Sequence, residues 1–117
     1  MNTITHYNDL IRKSLAFPEF RITLDKAGCH FHVVLTQGVR HTVEDMFDLF
    51  CKIALFNDFN ENNDPYGEHD FLIIQHEGET IYAKFDYYDR QLEYGSPNPS
   101  DLAKTCRVLT IMLAHEY

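Results

Sequence analysis

Two segments that alternate apolar and polar residues, set between segments of helical spacing, predict a two-layer α+β domain. Thr80 to Tyr87 alternates strictly. Ile81, Ala83, Phe85 and Tyr87 take one side, and Tyr82, Lys84, Asp86 and Tyr88 the other. Val43, Met46, Phe47, Phe50, Ile53 and Ala54 instead recur at helical intervals, with Glu44, Asp45, Asp48 and Lys52 facing away. The predicted order is α-β-β-α-β-β-(β)-α. It gives an antiparallel sheet of four to five strands with helices packed mainly on one face. A chain of 117 residues makes a single domain, 1–117, able to bury one core without metals or disulfides.

In chain order, Tyr7, Leu10, Ile11 and Leu15 predict a short amphipathic helix with Thr5 or Asn8 as its cap and Pro18 as its end. Phe20 to Leu24 alternates like a half-buried strand, Asp25 to Gly28 reads as a turn, and His30 to Thr36 returns, so residues 20–36 are expected to form a β-hairpin. Gly38 ends it. Thr42 three residues before Asp45 resembles a capping box for the next helix, which fades near Asn57. Phe71 to Ile74 and Thr80 to Tyr88 form the second hairpin around His76–Glu79, and Gln91 to Tyr94 can add an edge strand. Ser100 is placed to cap a final helix, Asp101 to His115, which is apolar on nearly every side beyond Arg107. Such a helix is either central or covered by a second copy, so a homodimer through it is one expectation.

Cys29, Cys51 and Cys106 are odd in number and lie far apart, with no C-x-x-C, which argues against a disulfide framework or a structural zinc. Asp9, Arg12 and Lys13 fall where a signal peptide needs an apolar run, and no stretch of membrane-spanning length occurs. A cytoplasmic protein without membrane association is therefore expected. The net charge of −8 is unevenly placed. Residues 1–56 hold six acids and six bases, whereas residues 57–99 hold ten acids against Lys84 and Arg90. Such a field repels nucleic acid and attracts basic partners or cations.

The candidate chemistry gathers in Asn63-Asp-Pro-Tyr-Gly-Glu-His-Asp-Phe71, where turn formers, acids and a histidine separate the two patterned halves. Asp64, Glu68, His69, Asp70 and Asp86 are candidate ligands for Mg²⁺ or Mn²⁺, ions that suit oxygen-rich sites and activate water. Against this, Asp64 and Asp70 fit the role of turn caps, and His69 and Asp86 that of partners for loop amides; no ligand spacing here is diagnostic. Lys84 lacks the acid two residues earlier that restriction-type nucleases use, since Tyr82 stands there. Cys51 and Cys106 fall on apolar faces, and the side chains of Cys29-His-Phe-His32 diverge on a strand. A second use of the segment is recognition. Tyr66, Tyr82 and Tyr88, interleaved with Glu68, Asp70, Glu79, Asp86, Asp89 and Glu93, make a surface suited to arginine- and lysine-rich partners.

Three stretches together resemble a known family. They are residues 63–71, Lys84-Phe-Asp-Tyr-Tyr-Asp89, and Thr105-Cys-Arg-Val-Leu-Thr-Ile-Met-Leu-Ala-His-Glu-Tyr117. Asn8-Asp9-Leu10, Thr36-Gln-Gly-Val39 and Gly95-Ser-Pro97 extend the likeness over nearly the whole chain. The family resembled is a bacterial domain of unknown function, built of small single-domain proteins in proteobacterial genomes, plasmids and genomic islands. Leu72 and Ala83 stand where that family favours glycine and tryptophan. The resemblance brings no reaction or cofactor with it. It implies a mobile-element setting, in which small acidic proteins antagonise restriction or CRISPR defence. The expected function is thus a non-enzymatic protein that binds a basic protein surface; the alternative is a metal-dependent hydrolase using Glu68, His69, Asp70 and Asp86.

Overall fold

Asn2 opens the first helix, its side chain accepting the Thr5 amide at 2.8 Å. It takes the cap predicted for Thr5 or Asn8. The computed structural model describes residues 2–117. Helices α1 (Thr3–Ser14), α2 (Glu19–Ala27), α3 (Gln37–Thr42) and α4 (Met46–Leu55) accompany strands β1 (His30–Leu35), β2 (Phe71–His76), β3 (Glu79–Tyr88) and β4 (Cys106–Leu113). The class is α+β. The sheet, however, is mixed rather than purely antiparallel: its order is β1-β4-β3-β2, with β1 parallel to β4 and the other neighbours antiparallel.

Two expectations are overturned, and together they explain the mixed sheet. Residues 19–27 are helical, so no hairpin spans 20–36. Pro18 presets the first turn, Glu19 meets the positive helix end, and Gly28 closes the helix with φ +75°. Within α2 only Leu24 is fully buried, so the apolar–polar alternation there had no buried face to serve. The expected final helix is strand β4, entered through a 3-10 turn at Leu102–Lys104 and left through another at Ala114–Glu116. β4 lies between β1 and β3; its helix-side residues are buried and its open-face Val108 and Thr110 are half-buried between neighbouring strands, and a nearly continuous apolar run suits that place. No helix exists there to dimerise through, and both edges of the strand are occupied.

Smaller differences follow the capping chemistry. The Val43–Ala54 pattern becomes helical only from Met46: Val43 ends α3, which Thr36 caps, and α4 is capped by Asp45 rather than Thr42, its carboxylate accepting the Asp48 amide at 3.0 Å. Residues 91–94 form a turn closed by Asp89 N–H to Tyr94 O at 2.8 Å and a lone bridge from Tyr88 to Gly95, not a strand. Asp101, rather than Ser100, caps the turn before β4.

The core lies between the helices and one face of the sheet. Ile11 of α1, Leu24 of α2, Val39 of α3, and Leu49 and Ile53 of α4 meet Leu72, Ile81, Ala83, Phe85, Leu109 and Ile111. Among the described residues, the other face carries no helix. Rows of that face follow from the registers: His30–Cys106–Tyr88, His32–Val108–Asp86, Val34–Thr110–Lys84–Phe71 and Met112–Tyr82–Ile73.

Candidate functional site

The loop between α4 and β2 is held by its own carboxylates and by α1. Asp64, 9% exposed, accepts the amide of Glu68 at 3.1 Å and that of His69 at 3.2 Å. This lets the chain turn at Gly67 and at His69, whose φ is +55°, a conformation uncommon for a residue with a side chain. Opposite the loop, α1 presents one polar face. Thr5 donates to the Gly67 carbonyl, Asn8 donates to the Glu68 carbonyl at 3.1 Å, and Asp9 meets His69 Nδ1 at 2.8 Å. The His69 ring stacks on Phe59 at 3.8 Å between centroids. Arg12 completes the seam. It bonds Asp9 at 2.7 Å and the α4 end carbonyls of Ile53 and Phe56 at 2.7 and 3.1 Å.

Beneath the loop runs a buried polar chain. Tyr87 Oη donates to Glu68 Oε1 at 3.3 Å and accepts from Asn8 Nδ2 at 2.8 Å, while Asn8 Oδ1 accepts from Arg107 Nε at 3.0 Å. Arg107 is fully buried without a carboxylate within bonding distance, and its Nη1 has no partner among the described residues. Burial accordingly lowers the guanidinium from its ordinary value. Burial also raises the Tyr87 phenol, so it is a neutral hydrogen-bonding group. Asn8, Asp9 and Arg12 were missed as partners of this loop. The signal available was their spacing on one helical face, Thr5–Asn8–Asp9–Arg12, polar where the rest of α1 turns inward.

The candidate metal ligands do not converge. Asp64 faces its own loop amides and His69 is engaged by Asp9. The Asp70 carbonyl takes the Phe85 amide at 2.8 Å, so Asp70 and Asp86 reach the same end of the sheet as expected. By strand alternation, however, Asp70 follows Leu72 toward the helices, whereas Asp86 lies on the open face, paired with Lys84 at 3.1 Å. Burial raises the Asp70 carboxyl, with Asp64 and Asp86 adding to it. Among the described residues, no group of three or more His, Cys, Asp or Glu side chains is arranged to hold a metal ion.

The recognition residues divide in a more useful way. Tyr82, Asp86 and Tyr88 stand on the open face, and Tyr82 packs with Phe71 and Tyr117 at ring distances of 5.0 and 5.8 Å. Lys84 lies over the Tyr117 ring at 5.6 Å. His30, His32 and Val34 continue the face outward as exposed residues on β1, and Ile73 does so on β2. Glu79 lies at one end of β3; Asp89 and Glu93 lie beyond the other, about 30 Å away at strand rise. By alternation Glu79 falls with Ile81 on the helix side, so these acids lie at the two ends of the sheet and Glu79 is not on the open face. Tyr66 projects from the loop tip, 83% exposed. Glu68 and Asp70 belong to the helix side and have no part in the open face.

The model of a family described as "Protein of unknown function (DUF3768)" matches residues 35–116, which runs from the end of β1 to the last turn. No curated protein and no solved structure matches the chain. No helix is long and apolar enough to cross a membrane among the described residues.

Proposed function

The chain belongs to the DUF3768 family, and we propose that it is a non-enzymatic binding protein that docks the open face of its sheet on a basic protein surface. The observation that carries this reading is the uncovered face itself. Four strands present Tyr82, Tyr88, Phe71, His30, His32 and Val34 on one side with no helix over them. Aromatic side chains on a rigid sheet contribute large contact area at low entropic cost, the usual make-up of an interface centre. At the two ends of the sheet Glu79, Asp89 and Glu93 supply acidic charge, which steers a cationic partner without having to desolvate at the centre of the face. The net charge of −8 opposes nucleic acid as the direct ligand.

A basic partner of this kind is a protein surface shaped to hold nucleic-acid phosphates. In the mobile-element setting that the sequence resemblance implies, a restriction or CRISPR defence complex is the candidate, and occupation of its phosphate-binding surface is the mode of antagonism. The test places a photo-crosslinking amino acid at position 82 and, separately, at position 47, where Phe47 is exposed on α4. In a bacterial lysate, position 82 should trap a basic nucleic-acid-handling protein and position 47 should not. Cross-links to that protein from position 47 alone, or none from position 82, would contradict the proposal.

A further inference from the structure

β1 is an edge strand whose outer rim is open in its middle. The Thr36 amide donates to Ile111 O at 3.1 Å. By alternation, the backbone groups of His30, His32 and Val34 turn toward β4, and those of Phe31, Val33 and Leu35 turn outward. Arg40 Nε covers the Leu35 carbonyl at 3.2 Å. The outward amides and carbonyls of Phe31 and Val33 have no such cover among the described residues. An exposed pair of this kind is a template for another strand.

Two hollows flank this rim and share Arg21 and Val33, so they form one groove. The first, of about 490 Å³, runs between Arg21 and Asp25 of α2 and the start of β1. The second, of about 400 Å³, has an apolar floor of Leu15, Pro18, Leu35 and Phe50, with Arg21 and Arg40 beside it. α2 packs chiefly on α1, which leaves the groove open between it and β1. Arg21 makes no side-chain hydrogen bond or ion pair among the described residues, and Arg40 uses only Nε. In a chain of net charge −8, two guanidinium groups with free donors at one apolar hollow stand out from their surroundings.

We propose that this groove receives an extended peptide that adds to β1 as a fifth strand and carries an acidic residue two positions from an apolar one, so that both face the groove. Its backbone bonds the outward groups of Phe31 and Val33. The apolar side chain fills the hollow over Leu15, Pro18 and Phe50, and the carboxylate meets Arg21 and Arg40 as a charge-assisted pair. Asp25 at the far end of the groove disfavours a second acid there and so sets the direction of the peptide. This site lies at the sheet edge and stands independently of the open face.

The probe is an N-acetylated, C-amidated octapeptide with threonine at every second position and valine and glutamate taking turns between, so that both share one face of the strand. Added to ¹⁵N-labelled protein, it should shift the Phe31 and Val33 amides most. Replacing its glutamates with lysine, or N-methylating its central amides, should weaken binding at least about tenfold, as should Arg21→Glu or Arg40→Glu with the melting temperature unchanged. Val33→Pro removes an outward amide that β4 does not use and should abolish docking. Where that variant fails to fold, the N-methylated peptide on the native chain decides the matter. Absence of shifts at Phe31 and Val33 with millimolar peptide would overturn the proposal. So would binding indifferent to N-methylation, or a concentration-dependent dimer that protects the β1 amides and leaves a second copy as the occupant.

Discussion

Carboxylates that look alike in the sequence do different work once their partners are visible. Asp64 caps the Glu68 and His69 amides, Glu77 accepts the Glu44 and Asp45 amides at 2.9 and 2.8 Å, and Asp89 accepts the Glu93 amide at 3.0 Å. Asp58, Glu61, Glu79 and Glu93 make no side-chain hydrogen bond or ion pair among the described residues, so their charge is free to act outward. The capping role of Asp64 was legible from Asn-Asp-Pro-x-Gly turn chemistry; the loop's α1 partners were legible only as a polar helical face, with nothing local to say which loop that face meets. Asp64→Ala should cost about 2 kcal/mol in urea unfolding, since two partly buried amides lose their acceptor, and the Glu68 and His69 amides should exchange much faster. Glu77 and Asp70 should respond to pH in opposite senses. Bonds from the Glu44 and Asp45 amides hold the Glu77 carboxyl below its ordinary 4.5, so its stabilisation is present above that value and lost as pH falls through the lower folded one. Burial raises the Asp70 carboxyl above 3.8, so ionising it opposes folding once pH rises through the folded value, and the penalty is absent below 3.8. Melting curves should therefore show Asp70→Asn more stable than the native chain at neutral pH. Glu77→Gln should be less stable at neutral pH, with a shallower acid transition.

Among the elements, β3 and α4 were legible because each has one wet and one dry side, which is what periodicity records. β4 was not. A run such as Val108-Leu-Thr-Ile-Met-Leu113 is buried toward the helices and at least half-buried between neighbouring strands on the open face, and being largely apolar on both sides erases the alternation that separates a strand from a buried helix. Its β-branched Thr105, Val108, Thr110 and Ile111 were the better guide. For α2 the error ran the other way, since Phe20-Arg-Ile-Thr-Leu24 alternates by chance while Pro18, Glu19 and Gly28 mark a helix start and stop. The end of β4 is tied to α3 by one side chain. Glu116 accepts from Thr36 Oγ1 at 2.7 Å, the Leu113 amide at 2.8 Å and the Gly38 amide at 3.2 Å. A Cβ on Gly38 would come within 2.6 Å of that carboxylate. Gly38→Ala should therefore displace Glu116, so Gly38→Ala and Glu116→Ala should each lower the melting temperature and the double variant should be no worse than the sum's larger member. Additive losses in that cycle would show the two residues to be independent.

At the level of the whole molecule, the sequence located the excess charge but not its arrangement, because arrangement depends on strand order. Residues 57–99 hold the net acidity, yet folding places it at both ends of β3 and adds Glu44, Asp45 and Asp48 from the neutral half beside Glu77. The result is a Tyr- and His-bearing face with charge at its margins. Steering by such a rim acts mainly on encounter, over a range of about 8 Å at physiological ionic strength. The most direct measurement is therefore the association rate of the partner trapped through position 82, followed from low to high salt for the native chain and for Glu79→Lys with Glu93→Lys. Neither side chain supports the fold, so melting should be unchanged. The native rate should fall steeply with salt, and the double variant should associate at least about tenfold more slowly at low salt with little change in dissociation. An association rate that ignores both salt and charge reversal would contradict the account.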